Sequence, residues 1–389
     1  MLLTLTPEQE ALRAELREYF ADVVTPEVEE EMSRGEMGGP ACLEAVRRMG
    51  KDNWLAVSWP TEFGGRNLSL KEQLIFFEEA HRVDAPVPFL SVNTVGQTIL
   101  EFGTDEQKQW LLPGILRGET HFAIGYTEPN SGTDLASLET RAVRDGDEWV
   151  INGQKIFTSL AGFADYVWLA ARTDADVPKH QGITIFIVPT DTPGFSWQPI
   201  ETLGGADTTY TFYEDVRVPD ANIMGGLNQG WKLITNQLNY ERVSLATTAW
   251  ASRQYDKVLA WAREHTLADG SRVIDHEWVQ ISLARCRAEI DFLKLLNWKV
   301  ASSETMDPGL ASATKVYGTE LYIRVYRALL EVIGQAGYLR RHSPGAVLKG
   351  QLERAYQGTL ILTFGGGTNE IQRDLVALFG LGMPRTPRM

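Results

Sequence analysis

The sequence predicts an α+β fold in which a helical region, a β region and a second helical region follow one another. Apolar residues recur at helical spacing up to about Gly118, at a spacing near two from His121 to about Val218, and at helical spacing again from about Gly230. A chain of 389 residues has room for two or three domains. We expect an N-terminal helical domain over 1–120, a central β domain over 121–230 and a C-terminal helical bundle over 231–389.

The N-terminal region contains four segments with helical periodicity. They cover 8–20, 41–49, 71–81 and 105–116. Thr104 and Gln107 have the spacing of a capping box, which predicts a helix that begins after Thr104. Gly118 follows Arg117 and indicates that this helix ends there.

The central region has short apolar segments separated by turn residues. The segment 144–147 predicts a connection between two strands, and Asn152-Gly153 predicts a second, tight hairpin turn, because both residues tolerate positive φ. Strands are expected over 140–143, 148–151, 166–171, 183–188 and 212–218.

The C-terminal region has long segments in which Trp, Leu and Ile recur. Helices are expected over 231–262, 275–305, 311–334 and 345–363. Their length suits a bundle that also buries faces against other subunits.

Composition excludes several classes of function. The net charge of −14 argues against nucleic acid or an anionic membrane as a partner. No apolar window has the roughly 18 residues that a membrane helix needs. Cys42 and Cys286 are too few for a disulfide framework, and the six histidines lack metal-ligand spacing, so no metal is expected. The N-terminus indicates a helix start and not a signal peptide, which predicts a cytoplasmic enzyme. Rossmann and P-loop glycine motifs are missing from the sequence.

The most informative segment is Gly125-Tyr126-Thr127-Glu128-Pro129-Asn130-Ser131-Gly132-Thr133-Asp134. Its hydroxyls, carboxylates and glycines suit a flavin ring and a polar thioester. The segment resembles the first motif of the acyl-CoA dehydrogenase family. Other matching segments cover 59–65, 102–108, 152–155 and 367–373. The resemblance covers nearly the whole chain and implies that family's fold, with a β-barrel-like central domain and a C-terminal four-helix bundle.

The resemblance implies FAD as cofactor and an acyl-CoA thioester as substrate. In this family a carboxylate removes the α-proton while flavin N5 accepts the β-hydride, which yields the trans-2-enoyl-CoA. Most members carry the base directly before a Gly-Thr pair, a position that is Gly366 here. A minority carry it in an L-E-R or Q-E-R segment on another helix, and Glu241 matches that position. Arg242 matches an arginine near the CoA. An exposed glutamate and a structural salt bridge are the alternatives for these two residues.

Further residues are assigned by matching motif positions. Ile124, Tyr126 and Thr127 correspond to contacts at the flavin edge. Thr133 corresponds to a hydroxyl that contacts the flavin or the CoA pyrophosphate. Phe157 corresponds to a ring stacked on the flavin and Ser159 to a hydroxyl near N5; ordinary strand residues are the alternative. The resemblance also assigns Gly366 and Thr368 to the cofactor, and Gly365 and Gly366 to the substrate. The triple glycine 365–367 leaves room for a bulky acyl group, although glycine also serves as a flexible helix cap.

In this family one subunit contributes contacts to the FAD site of another. The chain departs from the family pattern at those contacts. Glutamates stand at two positions where the family has glutamine, Glu277 and Glu331. Both would bring negative charge towards an anionic pyrophosphate. We therefore predict an α₂β₂ heterotetramer in which a homologous subunit supplies these contacts. The chain resembles the catalytic subunit of the heterotetrameric acyl-CoA dehydrogenases of actinobacterial steroid (cholesterol) side-chain degradation.

Three functions remain open from the sequence. The first is an acyl-CoA dehydrogenase that passes electrons to an electron-transfer flavoprotein. The second is a catalytically silent subunit that completes a partner's FAD site, which Gly366 favours and Glu241 opposes. The third is a flavin oxidase or monooxygenase on the same fold, which the modest chain length disfavours.

Overall fold

The computed structural model describes residues 4–35, 37–205, 208–244, 246–303 and 307–384, without the side chains of residues 239–244. The chain forms two compact units. The sheet unit comprises Ala21–Ser69 and Asp84–Glu241, and the bundle unit comprises Met1–Phe20, Leu70–Val83 and Arg242–Met389. The predicted domain boundaries near residues 120 and 230 stay a prediction.

The α-helices occur in chain order at the following positions: α1 Pro7–Val23, α2 Pro26–Arg34, α3 Pro40–Lys51, α4 Leu70–Arg82, α5 Gly96–Phe102, α6 Asp105–Leu116, α7 Gly230–Ser244, α8 Thr248–Glu264, α9 Glu277–Ala301, α10 Pro308–Ile333, α11 Gln351–Thr359 and α12 Asn369–Leu375. The strands are β1 Phe122–Gly125, β2 Arg141–Asp145, β3 Glu148–Ile156, β4 Tyr166–Arg172, β5 Ile183–Pro189, β6 Phe195–Ile200, β7 Thr208–Pro219 and β8 Ile223–Met224. The predicted order of helical, β and helical regions is confirmed.

The start and end of α6 follow the predicted signals. Thr104 Oγ1 accepts a hydrogen bond from the Gln107 N–H (3.2 Å), and Gln107 Oε1 accepts one from the Thr104 N–H (3.1 Å). The predicted capping box is therefore confirmed. Gly118 adopts a φ of 68° just after the helix, as a glycine stop signal predicts.

Within the described residues, eight strands form one mixed sheet. Its order is β6-β7-β3-β2-β4-β5-β8, and β1 pairs in parallel with β4. Alternate side chains fill its core, where Trp149 packs on Phe186 with ring centroids 5.6 Å apart. Because β1 is parallel to β4 and lies beside it, the chain that leaves β1 at Gly125 emerges next to a strand that is buried except at its two end residues.

The predicted hairpin turn at Asn152-Gly153 is wrong. β3 continues through both residues to Ile156, and a bulge lies between Ile151 and Gly153 in its pairing with β7. A Cβ at Gly153 would lie 2.5 Å from Thr140 Oγ1, and its φ is 151°. The glycine therefore marks a bulge with close backbone approach, a use of glycine in strands that local sequence does not separate from a turn.

In the bundle unit, α10 packs against α8, α9, α11 and α12, and α4 packs against α8 and α9. The core of this unit is lined by Val258, Leu283, Ile290, Tyr322 and Tyr326 among others. None of the described helices is long and apolar enough to span a membrane. The part of the chain that the structure describes also has no group of three metal-ligating side chains.

Two predicted helices differ from the structure. The segment 231–262 forms two helices, α7 and α8, because the Thr247 side chain accepts a hydrogen bond from the Ala249 N–H and starts a new helix. The segment 345–363 has only α11 as an α-helix, flanked by 3₁₀ turns. Leu348 and Lys349 adopt positive φ there, which interrupts any continuous helix.

Candidate active site

The loop after β1 is held by a buried carboxylate. Glu128 accepts hydrogen bonds from the N–H groups of Glu139 (2.6 Å) and Thr140 (2.9 Å). The ammonium of Lys155 donates to Glu128 Oε1 (2.8 Å) and to the carbonyl of Tyr126 (3.1 Å). These bonds join both ends of the loop to β3, so its shape is determined by a buried ion pair.

Burial perturbs both charges of this pair. Desolvation lowers the pKa of Lys155 to about 8, against the opposing attraction of Glu128. Burial alone would raise the pKa of Glu128, but the Lys155 charge and the hydrogen bonds to the carboxylate outweigh it and lower that pKa below its usual value of 4.5. The loop therefore depends on an ionised Glu128.

A Glu128→Gln variant tests this dependence on pH. At pH 7 we expect a loss of about 3 kcal/mol in unfolding free energy, because Lys155 is left buried without its counter-ion. The Glu128 pKa is lower in the folded state, so its stabilisation is present above about pH 4.5 and lost as the pH falls through the folded value. Urea unfolding between pH 7 and 3.5 should show the gap between wild type and variant narrowing in acid. A gap that stays constant with pH, or an equal loss in the exposed control Glu139→Gln, would contradict this role.

Three predicted flavin contacts are brought together beside this loop. The Thr127 carbonyl accepts a hydrogen bond from the Ile156 N–H (2.8 Å), which places Thr127 at the end of β3 next to Phe157 and Ser159. Phe157 has a φ of 62°, and its side chain is 55% exposed. Thr127 and Ser159 are half-buried. An exposed aromatic residue therefore follows the strand end that pairs with Thr127, and Ser159 lies two residues further along.

The turn that carries Phe157 and Ser159 is tied to β7 by its middle residue. The Thr158 N–H donates to the carbonyl of Thr209 (3.1 Å), and Thr209 Oγ1 donates to the carbonyl of Thr158 (2.8 Å). Ser159 Oγ lies 3.3 Å from Thr208 Oγ1. Because Thr158 is fully buried, its two neighbours are directed away from the sheet core. Ile124 lies in β1 opposite Trp168, and Thr133 is exposed further along the loop.

Tyr126 connects the loop to the helix that carries Glu241. Its hydroxyl accepts a hydrogen bond from Trp168 Nε1 (3.0 Å) and donates to Gln237 Oε1. Tyr126 and Gln237 are both buried. The Tyr126 hydroxyl is therefore engaged in the protein interior, and its carbonyl is held by Lys155.

Glu241 and Arg242 lie in the last turns of α7, and their side chains are outside the described residues. Residue 241 follows Gln237 by four positions, which places the two on one face of the helix, one turn apart. Gln237 was missed by the sequence reasoning, because its spacing from Glu241 indicates only a shared helix face and not a contact with Tyr126, 111 residues away.

The backbone of the glycine segment 365–367, in the bundle unit, disfavours a carboxylate at position 366, where most family members carry the base. Gly366 and Gly367 have φ values of 66° and 89°, a region that side chains with a Cβ rarely adopt. The Thr368 side chain accepts a hydrogen bond from the Ile371 N–H (3.3 Å) and caps α12. Glu370 lies in the first turn of that helix and is exposed. A carboxylate at position 366 would require a strained backbone in this turn.

The segment 125–134, whose residues suit a flavin, is called the flavin-type loop below. A mixed sheet that carries this loop and is followed by a helical bundle is the architecture of an acyl-CoA dehydrogenase. The family models for the N-terminal, middle and C-terminal domains of acyl-CoA dehydrogenases match residues 6–119, 123–216 and 228–380. The chain belongs to the acyl-CoA dehydrogenase family and is an oxidoreductase that acts on CH–CH groups.

Several relatives are similar over their full length. Acyl-CoA dehydrogenase FadE26 of Mycobacterium tuberculosis is 52% identical, with 100% of both chains covered. A chain of the ChsE4-ChsE5 complex from Mycobacterium tuberculosis superposes with a TM-score of 0.93 at 53% identity, over 99% of this chain and 100% of that one. A chain of the Tcur3481-Tcur3483 steroid acyl-CoA dehydrogenase has a TM-score of 0.94 at 49% identity, with 99% and 100% covered.

Proposed function

We propose that the chain uses FAD to convert a bulky or branched acyl-CoA, with a steroid side chain as the favoured class, to the trans-2-enoyl-CoA. Glu241 removes the α-proton. Bound FAD supplies the acceptor for the β-hydride, at flavin N5. The observation that carries the proposal is the hydrogen bond from Tyr126 to Gln237, which ties the flavin-type loop to the helix face that carries Glu241.

The residues of the sheet unit fit a flavin. A flavin needs a flat apolar contact for its ring and donors for its polar edge, and sites of this kind combine aromatic side chains with a few placed polar groups. Phe157 offers an accessible ring, and the hydroxyls of Thr127 and Ser159 lie on the two segments that meet beside it. These three residues, with Ile124 and Tyr126 at the start of the same loop, would hold the ring. Thr133, Gly366 and Thr368 are proposed as further cofactor contacts.

Two observations support Glu241 as the base. The usual position is Gly366, whose positive φ disfavours any side chain. The helix that carries Glu241 is tied to the loop through a fully buried glutamine. The buried contact determines the distance between this helix and the flavin-type loop. A base on the helix is thereby held in place, and proton abstraction requires such placement.

The substrate class rests on the glycine segment and on the relatives. A Cβ at Gly365 would meet only the Ile361 carbonyl at 3.7 Å, so space is open beside it. One of the similar structures is described as a steroid acyl-CoA dehydrogenase. Gly365 and Gly366 would border the acyl group, and Arg242 the CoA. The absence of side chains at the glycines favours a ring-bearing or α-branched acyl chain.

The proposed assembly is an α₂β₂ heterotetramer with a homologous subunit. The similar structures are described as pairs, ChsE4-ChsE5 and Tcur3481-Tcur3483. Glu277 and Glu331 are both exposed on the bundle unit, where a second subunit could approach them. An electron-transfer flavoprotein is proposed as the acceptor and the cytoplasm as the location. The charge of −14 disfavours nucleic acid and anionic membranes as partners.

A panel of CoA thioesters tests the substrate class. We expect kcat/KM to be at least about tenfold higher for ring-bearing acyl groups than for straight chains of four to eight carbons, because apolar contact with a ring adds about 1–3 kcal/mol. Gly365→Ala fits the fold and should lower turnover of ring-bearing substrates more than that of straight chains. A preference for straight chains, unchanged in Gly365→Ala, would show that the glycine segment does not select the acyl group.

A further inference from the structure

Two buried side chains hold the carbonyl groups of the glycine turn. Gln372 Nε2 donates to the carbonyl of Gly366 (3.0 Å), and Lys315 Nζ donates to the carbonyl of Gly367 (2.9 Å). Lys315 also donates to Asn369 Oδ1 (2.7 Å). Lys315 and Gln372 are fully buried, so their positions are determined by packing in the bundle unit. Both carbonyls are thus drawn towards α10 and α12.

The N–H groups of the same turn are available to a ligand. Among the described residues, none accepts a hydrogen bond from the N–H of Gly366, Gly367 or Thr368. In a trans peptide the N–H points opposite to the C=O. The N–H of Gly367 is therefore directed away from Gln372, and that of Thr368 away from Lys315. The turn is half-buried, so part of it is exposed to solvent.

The charge on Lys315 strengthens one of these donors. A hydrogen bond from an ammonium to a peptide carbonyl polarises the whole peptide group, and hydrogen bonds in such a chain reinforce one another. The Gly367–Thr368 peptide receives this bond inside the protein, where water screens the charge little. The partial positive charge on the Thr368 N–H increases accordingly. Lys315 can thereby act on a bound oxygen without touching it.

We propose that Lys315 is a positioning residue for the reaction, with Gln372 as its neutral second anchor. Together they hold the glycine turn so that its amides donate to the thioester oxygen on which enolate charge develops. The inference rests on the proposed function, because it requires an acyl-CoA beside this turn. It extends that function to a buried lysine of α10, whose effect reaches the substrate through a peptide group.

Lys315→Met tests the proposal, because it keeps the length of the side chain and removes its charge and donors. The protein is the complex co-expressed with its homologous subunit, and the probe is 3-cyclohexylpropanoyl-CoA labelled with ¹³C at the thioester carbonyl. In a Glu241→Gln background the bound probe is not turned over, and infrared spectroscopy reports the polarisation of its carbonyl. We expect a carbonyl stretch shifted to lower frequency than in water, and a loss of most of that shift with Lys315→Met.

Turnover and hydrogen exchange give independent readouts. With Glu241 intact, Lys315→Met should lower kcat at least about tenfold with KM changed less than about threefold, the pattern of an interaction made mainly in the transition state. Amide exchange at residues 366–368 should accelerate. Lys299→Met, an exposed site on α9, is the matched control and should change none of these quantities.

Gln372→Leu keeps the test decisive if Lys315→Met does not fold. It removes the anchor at Gly366 without a change in charge, and we expect faster amide exchange in the turn and a partial loss of the carbonyl shift. If the carbonyl band of the bound probe is the same with and without the Lys315 and Gln372 side chains, the proposed role of Lys315 is wrong. The proposed function is not affected by that result. Failure of any acyl-CoA to bind, or full turnover by Glu241→Gln, overturns the proposed function, and with it the inference.

Discussion

Replacement of Glu241 by glutamine is expected to lower kcat by roughly 10³-fold, within the range that a positioned general base contributes. Glutamine keeps the size and helix propensity of the side chain but cannot take a proton. Gly366, the usual position of the base, has no side chain to replace it. Steady-state kinetics with an artificial electron acceptor measure the loss, and the flavin absorbance spectrum reports whether FAD content is unchanged.

A matched variant separates this effect from a general effect of charge removal. Glu264 is an exposed glutamate at the end of α8, and Glu264→Gln should retain wild-type turnover. Unchanged turnover in Glu241→Gln would instead support a catalytically silent subunit that completes the site of its partner. An equal loss in both variants would point to a fault in assembly and not in chemistry.

Expression of the chain alone is expected to yield protein with little bound FAD, whereas co-expression with the homologous subunit should yield an α₂β₂ complex with two FAD per four chains. The reason is electrostatic. Glu277 and Glu331 are exposed carboxylates at positions where the family resemblance implies glutamine donors to a neighbour's pyrophosphate. A carboxylate there repels the anionic phosphates and offers no donor. Light scattering and flavin absorbance measure the mass and the FAD content.

The double variant Glu277→Gln and Glu331→Gln provides the matching control. It restores neutral donors at both positions, and the chain expressed alone should then retain more FAD than the wild type under the same conditions. A wild-type homotetramer with four bound FAD would disprove the predicted assembly. No gain from the double variant would show that other positions on this surface prevent self-assembly.

Local signals predicted the features that depend on near neighbours in the chain. The capping box of Thr104 and Gln107 and the connection between β2 and β3 each involve residues within a few positions of one another. The change of periodicity likewise predicted the order of the helical and β regions, because side-chain spacing follows directly from helix or strand geometry. The loop motif after β1 was recognisable for the same reason.

Features that depend on distant pairs were missed or misassigned. Gly153 and Thr140 meet across the sheet, and that approach turned an expected hairpin turn into a bulge. Gln237 is 111 residues from Tyr126, and Lys315 is 52 residues from Gly367. Nothing in the local pattern around these residues distinguishes a buried glutamine or lysine from an ordinary helix position.

The sequence by itself determined the family, the order of the helical and β regions, and the replacement of the usual base by glycine, because these follow from residue identity and short-range spacing. Only the tertiary structure decided that Lys155 supports the loop, that Tyr126 faces inward to Gln237, and that Lys315 and Gln372 orient the glycine turn. The physical reason is that a buried polar group must find its partner wherever the fold places one, and the fold brings together residues far apart in the chain.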